Sequence, residues 1–143
     1  MYKQQLFSNL RFFIIIFIFC LLFKSCKDKN DKIPYVYVDI YLNIEDFTDL
    51  TVPGGSVNIT GGVNGIVVYR ISYDNFVAFD RTCSYQPEKN CKVSTDSSQN
   101  YLICSCCDSE FSIFTGSVTK SPAEFPLKEY QTELDGSSLH IFN

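Results

Sequence analysis

The residues of this chain that could most clearly take part in chemistry are five cysteines, which lie close together in its second half. Cys83 and Cys91 form one group, and Cys104, Cys106 and Cys107 form another. Cys104 and Cys107 have the CxxC spacing, which lets two thiolates from one tight turn bind the same metal ion. Two such loops that face each other can build a four-coordinate site. The pattern therefore predicts either a metal site or disulfides in one locality of the fold.

The N-terminus has the features of an export signal. Lys3 and Arg11 come before the apolar run FFIIIFIFCLLF at residues 12–23. This run is short for a membrane span but has the length of the hydrophobic segment of a secretory signal peptide. Ser25 and Cys26 follow, and then the polar run KDKNDK. The arrangement resembles the lipobox of bacterial lipoproteins, in which the peptide is removed and the cysteine is lipidated.

These features divide the chain into three parts. We expect a lipoprotein-type signal peptide at residues 1–25 with Cys26 as the lipid anchor, a polar tether at 26–33, and one domain at 34–143. An uncleaved membrane anchor is the alternative interpretation of the same N-terminal segment. Both interpretations attach the domain to a membrane of the bacterial cell envelope, facing the periplasm or the cell surface.

The charge distribution argues against a nucleic-acid partner. The net charge is −4, and residues 1–25 contain three basic residues and no acidic one, so the remainder has 9 basic and 16 acidic residues. Nucleic-acid binding needs clustered cations to displace counterions from phosphates, and the domain has no basic cluster.

An odd number of cysteines constrains an exported domain. Disulfides form in oxidising compartments, but five cysteines cannot all pair within one chain. One thiol is left over whichever pairs form. A bound metal ion or cluster would hold it.

The rest of the domain is typical of short β-strands. YVYVDIYLNI at 35–44 alternates apolar and polar residues, which predicts an apolar face on the core and a tyrosine-rich outer face. Glycine-rich turn signals separate the further candidate strands. These are SVNIT, a hairpin at 65–80, YLICS and EFSIF on either side of the three cysteines, and a final hairpin that turns at Asp135 and Gly136. Since no stretch has a sustained helical period, the fold class is predicted to be all-β.

The order of several short motifs resembles that of a Rieske domain. Ala78-Phe79-Asp80 precedes Cys83, CSCCDSEF begins at Cys104, and PA and PL pairs begin at Pro122 and Pro126. The resemblance covers about residues 55–143. It implies antiparallel sheets in which two cysteine-bearing loops form a small metal or cluster subdomain.

The resemblance also implies a set of site residues. A Rieske domain binds one iron of a [2Fe–2S] cluster with two cysteines and the other with two histidines. Cys83 and Cys104 match the cysteine positions, whereas Tyr85 and Cys107 match the histidine positions. A Cys2His2 cluster therefore cannot be built from this sequence. Cys106 matches a cysteine of a loop-bridging disulfide, for which Cys91 is the candidate partner.

Three states of the cysteine loops follow. In the first, Cys83, Cys104 and Cys107 bind a metal together with Cys91 or, in its place, Tyr85. Four thiolates would suit Zn²⁺, a single iron or an all-cysteine [2Fe–2S] cluster. In the second, the loops contain only disulfides, Cys91–Cys106 and one pair among the other three cysteines. In the third, a partner or maturation factor supplies what is missing.

Together with the lipoprotein-type N-terminus, the resemblance implies a non-enzymatic, membrane-anchored protein with a metal or iron–sulfur centre. Electron transfer is the implied role, with a redox protein of unknown identity as its partner. The alternative is a cluster-free, disulfide-stabilised module with a structural or interaction role. Ser109 matches the serine that donates a hydrogen bond to a cluster sulfur in Rieske sites. His140, the single histidine of the sequence, is predicted to be an ordinary strand residue and not a ligand.

Overall fold

The computed structural model describes residues 32–143 as an all-β domain with two antiparallel sheets. The predicted signal peptide, Cys26 and most of the predicted tether lie outside the described residues. Within the described part, the only helical segments are three short 3-10 turns at Ile44–Asp46, Thr48–Leu50 and Pro87–Lys89. Between residues 32 and 143, no helix has the length and apolarity to cross a membrane. The predicted fold class is confirmed.

The strands are short, as their alternating sequences predict. In chain order they are β1 (Asp39–Asn43), β2 (Ser56–Ile59), β3 (Ile66–Arg70), β4 (Phe76–Asp80), β5 (Val93–Thr95), β6 (Tyr101–Cys104), β7 (Glu110–Ser112), β8 (Val118–Lys120), β9 (Glu129–Asp135) and β10 (Ser138–Phe142). The larger sheet has the order β1-β10-β9-β4-β3-β2, and the smaller sheet has the order β5-β6-β7-β8. Both cysteine groups lie at the smaller sheet.

The core is divided between the two faces of the larger sheet. Strand β3 is buried along its whole length, and its residues alternate between two apolar groups. Val67 and Tyr69 pack with Phe79 of the neighbouring strand β4 and with Phe111 and other residues of the smaller sheet. The second group lies on the opposite face and includes Leu50, Leu139 and Ile141. Burial on both sides explains why IVVYR has no polar alternation.

The N-terminal strand is shorter than the sequence pattern predicts. It begins at Asp39, because its partner β10 ends at Phe142 and leaves residues 35–38 without a paired strand. The predicted faces are as observed: Val38 and Leu42 are buried, and the tyrosines of this segment are exposed.

The packed part of the domain begins before residue 34. Ile33, which the sequence pattern assigns to the tether, is only 4% exposed. The Lys32 ammonium lies 4.3 Å from the centre of the Phe125 ring. The end of the predicted tether is therefore bound to the loop that contains Phe125.

Candidate metal centre

Three thiols from the two cysteine loops lie together at one end of the domain. The sulfur atoms of Cys83, Cys104 and Cys107 are all within 4.8 Å of one another, and Cys83 Sγ is 3.7 Å from Cys107 Sγ. Cys83 and Cys104 are fully buried, and Cys107 is half-buried. The structure thus brings together three of the five candidate ligands.

The larger sheet positions the first loop. Strand β4 leads directly to Cys83, whose N–H donates to the Cys91 carbonyl at 2.9 Å. The Arg81 guanidinium donates to the Val93 carbonyl at 3.0 Å and so ties the start of the loop to the smaller sheet. These two hydrogen bonds, one at Cys83 and one at Arg81, therefore fix the position of Cys83.

A tight turn after β6 positions the second loop. Cys104 donates its N–H to the Ser109 carbonyl at 2.9 Å, and its own carbonyl accepts from the Asp108 N–H at 3.1 Å. Asp108 has a φ of 55°, a left-handed conformation that aspartate tolerates better than most residues. This explains why aspartate can occupy this position of the turn.

Cys91 and Cys106 form a disulfide that joins the two loops, with an S–S distance of 2.06 Å. The resemblance implies this pair. Because its sulfur is in the disulfide, Cys91 is not part of the three-thiol group. The ligand set with Cys91 as the fourth thiolate is therefore not the one that the structure assembles.

Ser109 connects the second loop to the segment that carries the PA motif. Its buried hydroxyl oxygen accepts from the Ala123 N–H at 2.9 Å and lies 3.1 Å from Cys107 Sγ. The hydroxyl hydrogen is thus free to point at the sulfur. The PA motif has a physical role here, since it fixes the serine that contacts Cys107.

Burial and hydrogen bonds change the acidity of two of the thiols. Burial, followed by a hydrogen bond with Cys104, raises the pKa of the Cys83 thiol. Burial also raises the pKa of Cys107, but hydrogen bonds from the Ser109 hydroxyl and N–H and from the neighbouring thiols outweigh it and lower that pKa overall. Cys107 therefore ionises more readily than Cys83.

Tyr85 lies beside the thiols but faces a cleft. It is 37% exposed. The cleft has a volume of about 470 Å³, and its lining includes Lys32, Glu124 and Phe125. The phenol is thus on the outer side of the site.

A buried carboxylate supports the first loop, a role that the sequence pattern did not reveal. Asp80 is fully buried, and its Oδ1 accepts from the Thr82 N–H at 2.8 Å and the Thr82 hydroxyl at 2.5 Å. Its Oδ2 accepts from the Val63 N–H at 2.7 Å and the Tyr130 hydroxyl at 2.8 Å. The signal in the sequence was the AFD motif immediately before Cys83.

His140 does not belong to the three-thiol group. It lies in β10, 2.8 Å from the Asp39 carboxylate, and its ring is stacked on Tyr41 with centroids 4.1 Å apart. It also stacks on Phe142. The imidazole therefore interacts with residues of β1 and β10, the two strands at one edge of the larger sheet.

The family model of the Rieske [2Fe–2S] domain matches residues 42–131. The chain belongs to the Rieske family. The fold is accordingly that of Rieske-type electron-transfer proteins. No curated protein sequence matches the chain.

Solved structures share this fold at low sequence identity. The plasma membrane Rieske protein of the cyanobacterium Synechocystis PCC 6803 has a TM-score of 0.56 and 22% identity, over 76% of this chain and 100% of that chain. The ferredoxin of carbazole 1,9a-dioxygenase from Nocardioides aromaticivorans has a TM-score of 0.52 and 18% identity, over 76% and 98%. A complex of reduced oxygenase and oxidised ferredoxin in carbazole 1,9a-dioxygenase contains a match with a TM-score of 0.51 and 22% identity, over 72% and 93%.

The residues of this site do not fit the cluster that the family implies. A Rieske cluster needs two imidazoles on its second iron. In the described part of the chain the only imidazole is that of His140, which is paired with Asp39 on another part of the fold. Three thiols are present in place of two thiols and two imidazoles. No reaction step is therefore assigned to a Cys2His2 cluster.

Proposed function

We propose that this Rieske-family chain is a non-enzymatic metal-binding protein whose metal is held by Cys83, Cys104 and Cys107. The observation that supports this proposal is the spacing of the three sulfur atoms, which lie within 4.8 Å of one another. Thiolates are soft ligands that favour Zn²⁺, a single iron or an iron–sulfur cluster. The disulfide between Cys91 and Cys106 leaves these three thiols available.

The role depends on which metal is bound. Iron would give electron transfer, the role of the fold family, and a redox protein would be the partner. The ferredoxin in complex with its oxygenase supports a partner of this class. Because thiolate replaces neutral imidazole, an iron centre here would carry more negative charge and have a low reduction potential. With zinc the role would be structural.

The proposed location is a membrane of the bacterial cell envelope, with the domain facing the periplasm or the cell surface. Lipidation of Cys26 after removal of residues 1–25 would provide the anchor. A Cys26→Ser variant should move from the membrane fraction to the soluble fraction, or retain its unprocessed signal peptide. Cys20→Ser is the matched control and should behave like the wild type. Equal membrane attachment and processing in both variants would exclude Cys26 as the anchor.

Metal analysis of the intact chain tests the central proposal. Full-length protein, purified in detergent without oxygen, should contain stoichiometric iron or zinc. Cys107→Ser removes one ligand and should reduce the metal content several-fold, whereas Ser105→Ala, in the same exposed turn, should leave it unchanged. Equal metal content in all three proteins would show that Cys107 is not a ligand.

The second candidate function is a cluster-free structural or interaction module. The disulfide that already joins the two loops favours it, because the loops are held together without a metal. Metal-free protein with two disulfides in the domain, detected by mass spectrometry, would support this candidate and contradict the metal site.

A further inference from the structure

We propose that the three thiols bind one thiophilic ion, Zn²⁺ or a single Fe²⁺, and that the fourth coordination position of this ion is open to an external ligand. This inference rests on the proposed function and specifies its metal. It is an alternative to a two-iron cluster.

The spacing of the thiols matches a single ion. A tetrahedral ion with metal–sulfur distances of about 2.3 Å holds its sulfur ligands about 3.8 Å apart. Cys83 Sγ and Cys107 Sγ are 3.7 Å apart, and all three sulfurs lie within 4.8 Å of one another. A two-iron cluster instead needs two pairs of ligands, one pair on each iron.

The described part of the chain does not offer a second pair. The group of side chains close enough to share an ion contains three sulfurs and no carboxylate or imidazole. Cys91 and Cys106 are in the disulfide, and Tyr85 lines the cleft on the outer side of the site. Three ligands from the protein and one from outside is the arrangement of zinc sites with an open position.

The open position lies on the side of Cys107. Cys83 and Cys104 are fully buried, so an external ligand cannot approach past them. Cys107 is only half-buried and is followed by the exposed Asp108. Water, an imidazole or a small thiol could therefore reach the ion from this direction.

A hydroxyl group already lies beside one of the sulfurs. Ser109 Oγ is 3.1 Å from Cys107 Sγ. Donors of this kind stabilise a metal-bound thiolate and fix the direction of its lone pairs. The Ser109 hydroxyl is thus placed to stabilise a metal-bound thiolate at Cys107.

Cobalt titration tests the number of ions and the open position. Full-length protein with Cys20→Ser and Cys26→Ser, reduced at its free thiols and kept without oxygen, is titrated with Co²⁺. Sulfur-to-cobalt charge-transfer bands should increase up to one equivalent and disappear when one equivalent of Zn²⁺ is added. Imidazole should then shift the ligand-field bands of the cobalt form, because it replaces the external ligand.

X-ray absorption of the zinc form counts the ligands directly. We expect three sulfur neighbours at about 2.3 Å and one lighter atom. Cys107→Ser should weaken Zn²⁺ binding at least tenfold, and Tyr85→Phe should leave both affinity and sulfur count unchanged. Because the zinc measurement uses no variant at the three cysteines, it holds even if a cysteine variant fails to fold.

The outcomes separate this inference from the proposed function. Two irons and two sulfides per chain after reconstitution with Fe²⁺ and sulfide would overturn the single ion, and four sulfur neighbours around zinc would overturn the open fourth position. Either result would leave a metal-binding protein. Failure to bind Co²⁺, Zn²⁺ or Fe²⁺ would overturn both.

Discussion

Cys107 shows how one residue changes the chemistry that a fold can support. It matches a position where Rieske domains have histidine, and its sulfur lies 3.7 Å from that of Cys83. The other residues around it match the motif: Ser109 contacts the sulfur, and the PA segment fixes Ser109. A thiol in this position adds to the two cysteine ligands and removes an imidazole.

Asp80 is expected to stabilise the first cysteine loop strongly. Its buried carboxylate accepts four hydrogen bonds. Asp80→Asn places an amide NH₂ group against at least one of these donors, so we expect the free energy of unfolding to fall by about 2–4 kcal/mol. Urea denaturation of the two proteins measures this difference.

Tyr130→Phe is the control for Asp80, since it removes one hydrogen bond and leaves the carboxylate intact. Its expected cost is about 1 kcal/mol. Burial and the hydrogen bond to Asp80 raise the pKa of the Tyr130 phenol, so the hydroxyl is a stable donor at neutral pH. An Asp80→Asn variant as stable as the wild type would contradict the role given to this carboxylate.

The sequence identified these residues but not their contacts. Asp80 and Ser109 lie in motifs that were recognised, and three of the metal candidates are adjacent in space. The partners of Asp80, Val63 and Tyr130, are distant along the chain, and only the register of β4 with β9 brings Tyr130 to it. The choice of Cys91 for the disulfide or the metal likewise depends on loop geometry, which periodicity does not encode.

Among the structural elements, the turn between β7 and β8 requires glycine. Gly116 has a φ of 65°, and a Cβ atom there would lie 2.8 Å from Cε1 of Phe79 in the larger sheet. Gly116→Ala should therefore cost about 2–4 kcal/mol, from backbone strain and from overpacking. Thermal or urea unfolding would measure the loss.

Gly136→Ala is a matched control for this turn. Gly136 also has a positive φ, of 60°, but no atom lies within 4 Å of the added Cβ. Only the backbone strain remains, and the expected cost is about 1 kcal/mol. Equal losses in the two variants would show that contact with Phe79 does not constrain the turn.

The turn between β5 and β6 should be sensitive to acid. Asp96 accepts hydrogen bonds from Ser98, Asn100 and Tyr101. The bonds from the Ser98 side chain and the Tyr101 backbone make the largest contributions to lowering the pKa of Asp96 to about 2. The ordinary value is about 3.9. A carboxyl group whose pKa is lower in the folded protein than in the unfolded chain stabilises the fold when the pH is above its pKa in the unfolded chain. This contribution is lost as the pH falls from about 5 through 2.

The Asp96→Asn variant tests this pH dependence. It cannot titrate, so its urea midpoint should change less than that of the wild type between about pH 5 and pH 2. At neutral pH both proteins should unfold in a single transition. Identical pH profiles would show that the turn does not contribute to acid sensitivity.

The loop-bridging disulfide should contribute stability independently of the three thiols. It closes a loop with a sequence separation of 15, for which chain entropy predicts about 3 kcal/mol. A Cys91→Ser and Cys106→Ser double variant should lose about this amount in urea denaturation. It should keep its metal, because neither cysteine is a proposed ligand. Loss of all metal in this variant would indicate that the disulfide is needed to form the site.

The strands were largely predictable, because alternation and turn residues are local signals. The exceptions have non-local causes. The N-terminal strand is short because β10 ends at Phe142, and IVVYR shows no alternation because the smaller sheet covers one face of β3. Ile33 is buried by the fold and not by any pattern around it.

For the whole molecule, the topology brings Lys32, the first residue that the structure describes, and the thiols to the same end. Strand β1 begins at the thiol end of the sheet, beside Phe142, and runs away from that end. The segment that precedes β1 therefore joins it at the thiol end. Lys32 contacts Phe125, whose carbonyl accepts from the Ser84 hydroxyl next to Cys83. The order of motifs in the sequence predicted the family, but this proximity follows only from the assembled sheet.

Native mass spectrometry of the full-length protein, prepared without oxygen, tests the three-thiol metal site most directly. The mass difference between native and denatured forms of the same sample reports the bound metal, whatever the N-terminal processing. A difference equal to one metal ion, absent from Cys107→Ser and present in Ser105→Ala, is the predicted result. No difference in the wild type, with Cys83 or Cys104 recovered in a disulfide, would contradict the site.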